Sequence, residues 1–169
     1  MICANKLGAL GVLLSDAMES ALDDLSESAA ALLLTLHYRP DSTASELAEV
    51  AGIAQPTAVR VLDGLVRRGL IERQSTIGRI VPLRLTAAGR KRAEVLQTAR
   101  LNTLDRLLAA LPEQDRAAFE RALDLMLAAA TISRPFARTT CRLCDHVICD
   151  GPLCPIGTRA TELERDAGT

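Results

Sequence analysis

Four cysteines occupy fourteen positions in "CRLCDHVICDGPLCP", residues 141 to 155. Two residues separate Cys141 from Cys144, four separate Cys144 from Cys149, and four separate Cys149 from Cys154. In a reducing compartment, so dense a set reads as a metal site sooner than as a disulfide framework. The first pair can present two thiolates to one ion, and "DGP" at 150–152 can turn the chain so that Cys154 closes the cage. Four thiolates satisfy tetrahedral zinc as a closed structural site. An iron–sulfur cluster takes the same ligands, and the Cys-Pro at 154–155 is a common ending for cluster motifs. Zinc is taken as the first reading, the cluster as the second, and a disulfide-forming thiol switch as the third. His146 is an alternative ligand or, more simply, a solvent-facing side chain, and Cys3 reads as a small buried side chain.

Ligands so close in sequence need a scaffold, and the rest of the chain supplies one. It has 169 residues, 49% hydrophobic and only 2% aromatic, a composition suited to closely packed helices. Leu7, Leu10, Leu14, Met18, Ala21 and Leu25 form one stripe of a long amphipathic helix. Ser26 or Ser28 can cap a second helix that Pro40 stops. Thr43 and Glu46 form a capping box for a third, ended by Gly52, and Pro56 sits in the first turn of a fourth that runs to Gly69. "LIERQ" and "IVPLRLT" predict a β-hairpin. Thr86 then caps a long helix, Pro112 opens another, and Pro135 is expected to end the regular structure. The expected fold is mainly α with a small hairpin wing, long flanking helices, and an irregular cysteine-rich tail. Its parts are residues 1–25, 26–86, 87–133 and 134–169.

Net charge is −1, yet residues 60–92 hold nine basic side chains against two acidic ones. That segment is an electrostatic footprint for a polyanion. Two short helices, a tight turn and a basic hairpin describe a winged helix–turn–helix. At the start of the second helix, Gln55, Thr57 and Arg60 would face base edges, with Pro56 and Ala58 able to touch a thymine methyl. Arg67, Arg68, Arg73 and Arg79 would take phosphates. Arg60 could instead pair with Asp63.

Residues 42–94, "STASELAEVAGIAQPTAVRVLDGLVRRGLIERQSTIGRIVPLRLTAAGRKRAE", resemble the MarR family of bacterial transcriptional regulators. The resemblance implies a homodimer joined through the first and last helices, a pseudo-palindromic operator, and a small-molecule pocket near His37 and Tyr38. Ile77 stands where the family's wing carries an acid beside the arginine matched by Arg79, and Ala54 where a capping hydroxyl is common. Neither a nucleophile with a partnered His nor a glycine-rich phosphate loop is present, so no enzyme is expected. A thiol redox enzyme and a zinc-dependent protein-interaction module are the competing classes. The N-terminal stretch lacks a clear cleavage site and no apolar run could span a bilayer, which predicts a cytoplasmic protein.

Overall fold

The computed structural model describes residues 1–76, 78 and 80–168. In chain order it has α1 (Ile2–Leu22), α2 (Glu27–Tyr38), α3 (Ala44–Ala51), α4 (Gln55–Arg67), β1 (Ile71–Arg73), β2 (Leu83–Leu85) and α5 (Ala87–Leu108). Then follow α6 (Glu113–Ala130), α7 (Arg134–Thr140), a 3-10 turn (Gly151–Leu153) and α8 (Pro155–Ala167).

Helix α2 is apolar all round and lies at the centre, as such a helix must. Leu32, Leu33, Leu34 and Leu36 pack among Leu47, Leu62, Leu65, Ile71 and Leu96. Its cap is Ser26, whose Oγ accepts from the Ala29 N–H at 3.2 Å. The Thr43–Glu46 capping box forms as its spacing predicts, and Gly52 ends α3 in the left-handed region at φ 67°. Ala54, at the start of α4, makes no side-chain cap. The antiparallel pair β1–β2 sets Ile71 opposite Leu85 and Arg73 opposite Leu83.

Helix α5 leaves the wing at a tight joint. Thr86 donates to the Gly69 carbonyl at 2.6 Å and caps Gly89. A Cβ on Gly89 would stand 1.9 Å from the Leu70 carbonyl oxygen, so only glycine fits there. Arg92 binds Asp23 and Asp24, and Arg68 binds Asp24, which ties α4 and α5 to the α1–α2 corner.

Three expectations change. The tail is not irregular throughout: Pro135 opens α7 behind a Ser133 cap, and Pro155 opens α8, each in the first turn where proline costs no hydrogen bond. Helix α1 stops at Leu22, where Asp23 turns to φ 57°, short of Leu25. Cys3 is exposed, because α1 buries only Leu22 within the chain.

Candidate nucleic-acid interface and cysteine module

Helix α4 presents one face outward. Gln55, Pro56, Thr57 and Arg60 are exposed, and Gln55 Nε2 donates to Ser45 Oγ at 3.1 Å. Ala58, expected to reach a thymine methyl, is 0% exposed, because with Leu62 and Leu65 it forms the i, i+4, i+7 stripe facing the core. Val59 is 38% exposed and takes an outward apolar position.

The basic segment is partly engaged in surface ion pairs. Arg73 binds Asp63 at 2.5 Å, joining β1 to α4, so Asp63 serves Arg73 rather than Arg60. Arg84 binds Asp41 through two bonds of 2.6 and 2.7 Å. Arg67 Nε donates to the Asp63 carbonyl at 3.4 Å. Side chains of Arg68 and Arg73 remain roughly half exposed, and such pairs are worth about 0–1 kcal/mol, so a phosphate can replace the carboxylate. Arg79, expected at the wing tip, and Ile77 lie outside the described residues.

The four cysteines gather around one small core. Cys141 and Cys154 are buried with Ala137, Ile156 and Ala160, and Cys144 and Cys149 pack against them. Cys141 ends α7, and the Cys144 N–H returns to its carbonyl at 2.9 Å. Asp150 caps the 3-10 turn, and Cys154 caps α8 by accepting from the Gly157 N–H at 3.2 Å. A Cβ on Gly157 would press on that sulfur at 3.2 Å.

The thiols form two hydrogen-bonded pairs, Cys141 with Cys144 and Cys149 with Cys154. The Cys144 thiol is drawn down to about 6 by its bond from Cys141 and by the Arg100 guanidinium of α5. Cys141, which gives that bond, is pushed far upward, and burial pushes Cys149 up to about 11. Among the described residues, no three His, Cys, Asp or Glu side chains stand close enough together to ligate one ion. Four thiols are soft donors of the kind that zinc and iron take, although their present arrangement is not that of a ligand set.

The module is bolted to the DNA-binding unit. A Cβ on Gly52, the turn between α3 and α4, would stand 2.8 Å from Thr139 Cγ2 of α7. Thr139 Oγ1 donates to the Glu49 carbonyl at 3.4 Å, Arg142 binds Glu27, and Leu143 packs on the main core. Tyr38, at the end of α2, meets the His146 ring edge-on at 5.3 Å and donates to Asp145. Burial and that bond raise the Tyr38 phenol, and burial lowers His146, which is half-buried rather than solvent-facing. Arg134 binds Glu164 and Thr161, each at 2.7 Å, locking α7 to α8. Sequence reading missed Arg100, Thr139 and Gly157. Only Arg100 left a signal, a charge continuing the buried Ala93–Leu96–Gln97 stripe.

The MarR family profile matches residues 25–76, the segment from the start of α2 to the wing. A Mycobacterium tuberculosis MarR family protein, Rv2887, is 27% identical over 72% of this chain and 91% of its own, with a TM-score of 0.61. Residues 25–76 thus match the MarR family, and the fold around them is similar to that of MarR proteins. The same mycobacterial protein in complex with DNA is 25% identical over 73% of this chain and 95% of its own, at a TM-score of 0.61. YusO from Bacillus subtilis shares the fold at 22% identity, covering 76% of this chain and 94% of its own, with a TM-score of 0.66. None of the curated protein sequences compared matches the chain. MarR proteins are transcription regulators and dimers, not enzymes. The four cysteines lie beyond the matched segment. Among the described residues, no helix is long and apolar enough to cross a membrane.

Proposed function

We propose that this MarR-family regulator binds a pseudo-palindromic operator as a homodimer in the cytoplasm, and that its four-cysteine module is a metal centre that adjusts DNA affinity. Gln55, Thr57 and Arg60 read base edges, with Pro56 and Val59 as apolar contacts. Arg67, Arg68, Arg73 and Arg79 supply phosphate contacts. A protein similar to this chain is known in complex with DNA, which supports the reading.

The observation that carries the metal-linked half is the seat of α7 on Gly52, the turn that aims the recognition helix. Cys141, Cys144, Cys149 and Cys154 would hold zinc or an iron–sulfur cluster; the metal would supply a four-way link between α7 and α8. A metal held by all four thiolates would tie the two thiol pairs to one another, and with them the α7 segment that sits on that turn. Any shift of a bistable element that both sites touch becomes coupling between them.

The same similar protein is known with p-aminosalicylic acid. Here the cavity beside Tyr38, Thr35, Val50 and His146 is about 20 Å³, room for roughly one water. A phenolic effector at that spot would have to displace the module's Tyr38–His146 contact, so effector and metal compete for one joint. Selecting operators from a random duplex pool and measuring affinity against salt tests the DNA reading. A palindromic consensus with a steep salt slope is expected, whereas salt-independent or absent duplex binding would overturn it.

A further inference from the structure

The cysteine module carries an apolar surface that nothing in its own chain covers. Val147, Ile148 and Leu153 are 82%, 65% and 76% exposed. This surface runs directly into α6, which buries none of its residues and exposes Leu125 at 74%. Between α6, the 3-10 turn and α8 lies a groove of about 690 Å³, walled by Leu123, Leu127, Ile148, Leu153 and Pro155, with Cys149 in the same wall. Contiguous apolar ground of this kind marks an interaction face.

We infer that the first half of α1 from a second copy of this chain fills that groove, so that the cysteine module is part of the dimer interface. Three observations choose this occupant. MarR proteins are dimers, and α6 buries none of its residues although α8 lies along it, so its outer face is left for another chain. The first half of α1 is another uncovered apolar element among the described residues, with Ile2, Leu7, Val12 and Leu13 all exposed. Charge also matches: residues 1–15 hold a single charged side chain, Lys6, while Glu120, Asp124 and Glu162 rim the groove beside one cation, Arg159. The second copy's helix would roof Cys149 against water, and each subunit would read the state of the other's cysteines.

The test places a photo-activated cross-linking residue at Leu153, and separately at Ile148, in the full chain. Light and heavy isotope copies are mixed so that inter-chain products are recognised by mass. Inter-chain cross-links landing within residues 1–15 support the assignment; their absence, or inter-chain cross-links that miss α1, overturns it. In parallel, the paired substitution I148E/L153E is examined by sedimentation equilibrium. A dimer weakened about tenfold or more is expected from losing two buried apolar side chains. An unchanged dimer constant with helical content and metal content intact would contradict the proposal. Where that variant fails to fold, the cross-links decide alone. Metal content is read on the same samples, so a protein without metal that still cross-links to α1 refutes the metal reading and leaves this one standing.

Discussion

Gly52→Ala is the sharpest probe of the joint between the cysteine module and the DNA-binding unit. Gly52 sits at φ 67°, ψ 33°, and an L residue there costs about 1–2 kcal/mol. Its new Cβ would also meet Thr139 Cγ2 at 2.8 Å, well inside contact distance. Overpacking of this size costs about 1–3 kcal/mol. The two together predict a loss of about 2–5 kcal/mol for Gly52→Ala. Thr139→Ala alone removes a methyl and a long 3.4 Å hydrogen bond to Glu49, for a loss of about 1 kcal/mol. In the double variant the clash is gone, leaving mainly the backbone cost. The double variant should then be more stable than the sum of the single losses by about 1 kcal/mol or more. The assay is denaturant unfolding at fixed protein concentration and fixed metal state, because dimer stability depends on both. Operator affinity is measured on the same four proteins. Additivity within about 0.5 kcal/mol would refute a load-transmitting contact between α7 and the turn.

Further outcomes follow from single features. Gly89→Ala drives a methyl onto the Leu70 carbonyl at 1.9 Å, and should lose about 2 kcal/mol or more in unfolding despite alanine's better helix propensity. In the metal-free protein, ultraviolet thiolate absorbance should show one thiol ionising with a midpoint near pH 6, and Cys149 only near pH 11. Arg100→Ala removes a cation that holds the Cys144 thiol down, so the first midpoint should move up; an unmoved midpoint would show that Arg100 does not act on it. Arg60→Ala should weaken operator binding while leaving dimerisation intact, and base-by-base competition will separate its roles. A preference lost at one base pair marks base reading, whereas a uniform loss with a salt slope lower by about 1 marks a phosphate contact.

Much of this architecture is written in local chemistry. Ser26, the Thr43–Glu46 box, Gly52, Pro56 and Thr86 each act within a few residues of themselves, and each sits where its side chain predicts. Failures occur where distant parts decide. Ala58 is buried rather than free to touch DNA because α2 and α3 pack on α4, which buries its Ala58–Leu62–Leu65 stripe. Pro135 can as well begin a helix as end one, and the Ser133 hydroxyl settles it by capping Phe136. The cysteine spacing was legible, but its seat on Gly52 and Tyr38 was not, since Thr139 and Gly52 are 87 residues apart in sequence and meet only after folding. Arg100 was hidden for the same reason: its meaning comes from Cys144, on a segment that returns to α5 from the far end of the chain.

Metal state at the four cysteines is proposed to set DNA affinity. The decisive measurement is operator affinity by fluorescence anisotropy on one anaerobic preparation, before and after the metal is removed by a chelator and then restored. Iron, zinc and sulfide content and the visible spectrum are recorded at each stage. About one metal centre per chain is expected, with an affinity that changes about tenfold or more on removal and returns on reloading. Equal affinities across a demonstrated loss of metal, or a purified protein that takes up neither zinc nor iron, would contradict it.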